Sequence, residues 1–246
     1  MHLRLLIVLL FCGQVSLQSQ DAPSLRMHLS FEYGAQTPGG DLKDRFGNNF
    51  NLGAQYEILH MESLWHAGLK GYFLFGNEVR EDVLALLRTP EGNIIGNDRS
   101  PAIVLLRERG FFIGPYVGKT FKLSEQHPHS GIKISAGAGL LQHKIRVQDD
   151  TRSVSQLTGD YLKGYDRLTN GLAFYGFVGY QHLDPQGRIN FLAGFDLTAG
   201  TTQSRRDFNF DQQRADTAKR KDSLLGIRIG WILPITTGQP PDQIFY

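Results

Sequence analysis

The residues that could do nucleophilic or acid–base chemistry are few, and their spacing forms no recognisable motif. His143 could act as a general base, and Ser153 and Ser155 follow it in the sequence. A serine hydrolase needs a nucleophile, a base and an orienting group, and nothing in the spacing selects either serine. His127 and His129 form a His-x-His pair without an obvious third ligand, which is weak support for a metal site. We therefore predict no catalytic residue, no metal and no cofactor.

Six charged residues stand where a buried network of ion pairs could form. They are three acids and three bases on the polar faces of alternating segments: Glu32, Glu57, Asp196, Lys70, Lys133 and Arg228. His28, His66, Gln55 and Asn190 lie on the same faces. A buried charge is costly unless it is paired and hydrogen-bonded. The equal numbers of both signs therefore predict a shared interior in which acids and bases neutralise one another.

The segments that must position these charges alternate between apolar and polar or small residues. This period of two is typical of a β-strand whose two faces have different surroundings; Phe31 and Glu32, for example, face opposite ways. Eight such segments occur, at 27–35, 50–58, 65–75, 103–121, 132–142, 172–180, 189–197 and 225–233. The faces of the fourth cannot be assigned, because residues 111–113 are all apolar and Pro115 interrupts the segment.

The connections between these segments alternate in length. Short polar connections are expected at 60–64, 123–130 and 183–187. Long connections are expected at 36–49, 77–101, 147–170 and 201–221. Short periplasmic turns and long extracellular loops are typical of bacterial outer-membrane barrels. The pattern predicts an all-β fold, an eight-stranded antiparallel up-and-down transmembrane β-barrel with extracellular loops and periplasmic termini. Side chains just fill an interior of this size, so we predict a closed lumen.

The main structural alternative is a soluble lipocalin-like barrel, whose apolar faces would line a ligand cavity and whose charged faces would meet water. The polar faces are unusually rich in glycine, and the long loops fall on one side. Both features favour the membrane barrel.

The N-terminal region is organised as a secretory leader. An apolar run at 3–12 follows His2, and a polar stretch at 14–20 comes next. The run is too short to cross a bilayer as a helix. We therefore predict a cleaved signal peptide at 1–20, a barrel at 21–235 and a Pro-rich periplasmic tail at 236–246. Lipid attachment at Cys12 is an alternative that Phe11 disfavours. The net charge of +2 gives no reason to expect a nucleic-acid partner.

The long loops carry residues that could recognise a partner, because they mix aromatic and paired charged side chains. The candidates are Asp41, Arg45, Tyr161, Tyr165, Asp166 and Arg167. Asp41 could also cap a helical turn, and residues 78–88 have the apolar spacing of a short amphipathic helix. Basic residues of the last loop could contact anionic lipid phosphates: Arg205, Arg206, Lys219, Arg220 and Lys221.

The last segment could also act as the signal for membrane insertion. Gly226, Ile229 and Trp231 have the spacing of the C-terminal strand that outer-membrane proteins present to their insertion machinery. The match is partial, because Leu224 occupies a position that usually prefers a polar residue.

The overall pattern resembles the small eight-stranded outer-membrane barrels of the OmpA/OmpX type. Segments 38–47, 163–171 and 230–234 resemble uncharacterised outer-membrane β-barrel proteins of Bacteroidota. This resemblance implies an accessory or structural subunit of an outer-membrane complex for protein insertion, secretion or uptake. The partners it implies are outer-membrane lipid and lipopolysaccharide, the insertion machinery and other proteins of the complex. The alternatives are a soluble ligand-binding barrel, a lipid-modifying enzyme at the rim and a small-solute channel.

Overall fold

The structure, a computed structural model, describes residues 25–184 and 188–235. Eight long strands account for most of them: β1 (Leu25–Gly40), β2 (Asn49–His60), β3 (Trp65–Gly76), β6 (Leu105–Lys122), β7 (Gly131–Gln148), β8 (Thr169–Leu183), β9 (Asn190–Ser204) and β10 (Lys219–Ile235). The loops contain a four-residue helix, α1 (Leu42–Arg45), and a small hairpin of β4 (Ile94–Ile95) and β5 (Pro101–Ala102). Three short 3₁₀ turns complete the described elements: Ala85–Leu87, Ser155–Leu157 and Gly159–Gly164.

Each long strand pairs antiparallel with its neighbour in the sequence, and β1 pairs with β10 to close the ring. The closing register runs from Met27 opposite Ile235 to Gly40 opposite Asp222. The predicted eight-stranded up-and-down barrel is confirmed. The proposed leader, the end of the turn at 183–187 and the Pro-rich tail lie outside the described residues.

In the fourth long strand, β6, inward-facing and outward-facing side chains alternate from Phe112 to Val117, as in the other strands. Phe112 and Tyr116 are buried inside the barrel, whereas Ile113 and Val117 face outward. Pro115 also faces outward, and the β6–β7 ladder lacks pairs at residues 114 and 115 while keeping one register on both sides. A missing ladder bond is what proline imposes, since it has no backbone N–H.

The connections gather at the two ends of the barrel. Four longer ones, at 41–48, 77–104, 149–168 and 205–218, lie at what we call the loop end, and the shorter ones lie at the turn end. The first loop is shorter than predicted because β1 continues to Gly40 along β10. Helix α1 forms where a helical turn was expected. However, the Asp41 side chain does not cap it and instead accepts the Lys221 backbone N–H at 2.7 Å.

The amphipathic helix predicted at 78–88 is wrong. Its first residues bridge to the first loop, with Val79 opposite Phe46 and the Arg80 N–H donating to the Arg45 carbonyl at 2.8 Å. These bonds use backbone groups that a helix would need, so only Ala85–Leu87 forms a 3₁₀ turn. Among the described residues, no helix is long and apolar enough to cross a membrane.

The two faces of the barrel wall differ sharply in polarity. Large apolar side chains point outward along every long strand, including Phe73 at 69% exposure and Phe174 at 65%. Most charged and amide side chains in the middle of the strands point inward and are almost fully buried, including Lys70 and Arg228, each at 1% exposure. The lipocalin-like alternative required the opposite arrangement and is therefore wrong.

Candidate functional site

The first part of the candidate site is an ion network that crosses the lumen, by which we mean the barrel interior. Arg228 of β10 donates to Asp196 at 2.6 Å, to Glu32 at 3.2 Å and to Asn51 at 2.8 Å. Lys70 of β3 also donates to the Glu32 carboxylate, so Glu32 is shared by two cations. Five strands thus supply one neutralising cluster, in which each buried charge has a partner of opposite sign.

A second cluster lies on the strands nearby. Lys133 of β7 donates to Glu57 at 2.5 Å and to Gln181 at 2.8 Å. Tyr116 of β6 also donates to Glu57 at 2.8 Å, so this β2 carboxylate is held from two other strands. The nitrogens of His28 and His66 lie farther from it, and His66 is instead bonded to Ser135. All six charges singled out by their alternation therefore meet inside the barrel, as predicted.

Aromatic side chains fill the space between the charged groups. Phe112 stacks on Tyr72 with ring centroids 5.3 Å apart and contacts Tyr175 at 5.9 Å. Arg228 lies 4.8 Å from the centre of the Tyr72 ring, and Lys70 lies 5.0 Å from that of Tyr175. An internal cavity beside Tyr175 has a volume of only about 10 Å³, about the minimum for one water molecule. The part of the lumen that the structure describes is packed rather than open.

The four loops form a second unit, the loop lid, which consists of residues 41–48, 77–104, 149–168 and 205–218. Its apolar core contains buried side chains from the first three loops: Leu42, Phe46, Val83, Leu84, Ile94, Val154, Leu157 and Tyr165. Backbone hydrogen bonds join the loops, from Asn97 to Ser153 at 2.7 Å and from Phe210 to Gly164 at 3.0 Å. The lid is therefore joined from loop to loop, and its apolar side chains belong to the same buried cluster as those of the lumen.

Ion pairs connect all four loops. Arg45 and Arg167 both donate to Glu81 at 2.8 Å, and Arg167 also bonds Asp211 at 2.5 Å. Burial alone would raise the pKa of Glu81, but the two guanidinium groups outweigh it and lower that pKa. The ionised carboxylate is thus the form that stabilises the lid. Glu81 and Asp211 gave no signal in the sequence, since the loops that carry the paired residues are distant along the chain.

The structure changes the role of most loop residues predicted to recognise a partner. Arg45, Tyr165, Asp166 and Arg167 are buried within the lid and cannot meet a partner without disrupting it. Asp166 accepts two hydrogen bonds from an arginine of the last loop. Among the candidates, Tyr161 has an exposed side chain, at 63%, and Asp41 is exposed while its carboxylate bonds β10.

Of the five basic residues expected to contact lipid phosphates, three are bonded within the protein and two are exposed. Arg205, Arg206 and Arg220 are hydrogen-bonded to Asn170, Asp166 and Asp216, respectively. The outward-facing Lys219 and Lys221 are exposed.

His143 lies apart from Ser153 and Ser155, the two serines that follow it in the sequence. His143 is buried at the loop end and bonds Asp222 at 2.8 Å, and Asp222 also accepts from Thr202. Ser153 and Ser155 bond other loop residues instead. The structure thus does not bring His143 together with either serine. Within the described ranges, no group of three or more metal-binding side chains occurs.

No protein-family model and no curated protein matches the chain. One similar solved structure is Ail, the attachment invasion locus protein of Yersinia pestis, in complex with the heparin analogue sucrose octasulfate. It has 13% identity and a TM-score of 0.32, over 85% of this chain and 99% of that chain. Another is the outer membrane protein OprG from Pseudomonas aeruginosa, with 9% identity and a TM-score of 0.37, over 85% and 95%. These similarities are too low to assign a ligand or a role.

Proposed function

We propose that the chain is an integral outer-membrane β-barrel with a closed lumen that serves as a structural or accessory subunit of a larger outer-membrane complex. The observation that carries the membrane placement is the inverted polarity of the barrel wall. Outward faces of the long strands carry large exposed apolar side chains, whereas the ion pairs lie inside. Exposing so much apolar surface to water is unfavourable, and a lipid bilayer removes that cost.

Aromatic residues near both ends of the wall support the same placement. Tyr33, Phe50 and Phe75 contact one another in a row toward the loop end. Trp65 and Trp231 are exposed toward the turn end. Two aromatic girdles around an apolar band are typical of outer-membrane barrels. In this orientation the loop lid is extracellular.

A packed lumen under a bonded lid argues against a solute channel. The interior is occupied by aromatic rings and charge pairs, and opening a path would require separating groups such as Arg228 and Asp196. A transporting role would also need a binding cavity larger than the one beside Tyr175. The lid surface, in contrast, presents exposed apolar side chains: Leu86 at 63%, Ile103 at 80% and Tyr161 at 63%. Such residues on an ordered surface suit contact with a protein partner.

The membrane placement is tested by fractionating cells that express the full chain and running the outer-membrane fraction with and without boiling. We expect the folded barrel in that fraction with a heat-dependent shift in mobility. Protein in the soluble periplasm without a shift would contradict the placement. Reconstituted protein should leave planar bilayers non-conducting, and stable single-channel steps would contradict the closed lumen.

The subunit role is tested by native purification from the source membrane. We expect a stoichiometric partner that is lost when Leu86 or Ile103 is changed to glutamate. Glu91→Lys is the matched control, because Glu91 is an exposed residue of the same loop whose change leaves the apolar side chains in place. Purification of the wild-type barrel without any stoichiometric partner would contradict the role.

A further inference from the structure

Four cations stand side by side on the outer wall at the loop end of β6 and β7. Arg107 lies directly opposite Arg146, and Arg109 lies directly opposite Lys144. These four residues alternate with the buried Glu108 and Ile145, so they face away from the lumen. The two pairs are separated by two residues along each strand, about 7 Å at the usual rise.

This arrangement is unfavourable without an anion. Like charges directly opposite one another destabilise a pair of strands, and here two such pairs are adjacent. In the part of the chain that the structure describes, none of the four forms a salt bridge with a carboxylate. Arg107 donates to the Asn77 side chain at 2.6 Å while its Nε lacks a partner, and Arg109 donates to the Glu108 carbonyl at 2.5 Å.

An apolar groove adjoins the cations on the same face. It has a volume of about 500 Å³ and is lined by Phe73, Phe75 and Phe111 together with Arg109 and Lys144. Arg109 is opposite Phe75, and Phe111, two residues along β6, is opposite Phe73. The outer surface therefore changes from basic to aromatic over two residues of β6, from Arg109 to Phe111. A ligand that matches both halves has an anionic head and an acyl tail.

We propose that this face binds the phosphate of an outer-leaflet glycolipid, lipopolysaccharide, with an acyl chain in the aromatic groove. The proposal rests on the membrane placement proposed above, in which the loop end meets the outer leaflet. Arg and Lys donate charge-assisted hydrogen bonds to phosphate oxygens, and several such donors converge here. The bound phosphate would also neutralise the repulsion between the two cross-strand pairs.

The test compares the wild-type barrel in neutral detergent with the double variant Arg109→Gln/Lys144→Gln. Both are titrated with lipopolysaccharide, and the bound glycolipid is quantified after gel filtration. The control is Lys219→Gln/Lys221→Gln, which removes two exposed cations at the loop end of β10, outside the groove. We expect affinity to fall roughly tenfold or more in the groove variant and to be unchanged in the control.

Three further probes identify the ligand. Dephosphorylated lipopolysaccharide should bind as weakly as the groove variant does, and vesicles of phosphatidylcholine with phosphatidylglycerol should compete poorly. Inorganic phosphate alone should not displace the glycolipid at equal concentration. Equal binding by wild type and groove variant would overturn the proposal. Displacement of the glycolipid by inorganic phosphate at equal concentration would also overturn it.

A negative result for the glycolipid site can be told apart from a negative result for the membrane placement. A barrel that fractionates with the outer membrane and shifts on heating, yet binds lipopolysaccharide equally with and without Arg109 and Lys144, loses only this site. A heat-dependent shift in both variants shows in addition that each is folded.

Discussion

Replacing Arg228 with methionine should destabilise the barrel more than any comparable change at its surface. Arg228 is 1% exposed and donates to two carboxylates and one amide. Methionine keeps much of the side-chain volume but leaves Asp196 with only the Gln36 amide at 2.9 Å. Removing one partner of a buried ion pair costs about 3–5 kcal/mol. We expect the free energy of unfolding to fall by about that amount.

The assay is reversible urea unfolding of the barrel in lipid vesicles, followed by the fluorescence of Trp65 and Trp231. Both tryptophans face outward on the wall and report its loss from lipid. The double variant Arg228→Met/Asp196→Asn removes both charges, so it should be more stable than Arg228→Met alone. The control is Arg80→Met, because Arg80 pairs with Glu78 at 3.0 Å on the exposed lid surface; this should cost less than about 1 kcal/mol.

Either of two results would show that the ion pair of Arg228 with Asp196 does not stabilise the lumen in this way. One is an Arg228→Met barrel that unfolds at the same urea concentration as Arg80→Met. The other is a double variant no more stable than the single one, which would mean that the uncompensated charge of Asp196 is not the source of the cost.

Other consequences concern the lid and the packing of the wall. The pairs of Glu81 with Arg45 and Arg167 contribute their full stability above the usual glutamate pKa of 4.5 and lose it as pH falls through the lowered pKa. Hydrogen exchange of the loop amides, corrected for intrinsic rate, should therefore rise on acidification in the wild type, and Glu81→Gln should show the raised exchange already at neutral pH. Equal exchange in the two proteins at neutral pH would contradict this. Gly139→Val should destabilise the barrel by about 1–3 kcal/mol, because the added Cβ would lie 2.7 Å from the backbone of Gly114 in β6. Gly176→Val is the matched control and should be tolerated, because no atom lies within 4 Å of the position its Cβ would take. Urea unfolding of the two variants distinguishes them, and equal midpoints would show that this contact is not limiting.

The sequence alone determined the strands and the faces of most of them. A barrel wall separates two media, so each residue on a strand must suit one side, and the alternation of Phe31 with Glu32 records that requirement locally. The same alternation placed the six lumen charges inside. The faces of β6 were not assigned because residues 111–113 are apolar on both sides of the wall: the interior there is an aromatic packing layer, around Phe112.

Only the tertiary structure decided which charges pair and what the loops build. Whether Lys133 of β7 meets Glu57 of β2 or Glu32 of β1 depends on the register of the closed ring, in which β1 pairs with β10 from the other end of the described chain. The lid depends on Glu81 meeting arginines from two other loops. The basic groove likewise exists because the β6–β7 register sets Arg109 opposite Lys144. The alternation of apolar and polar residues along a strand shows which medium each side chain faces. The partners of that side chain depend on how the strands pair and close into the barrel.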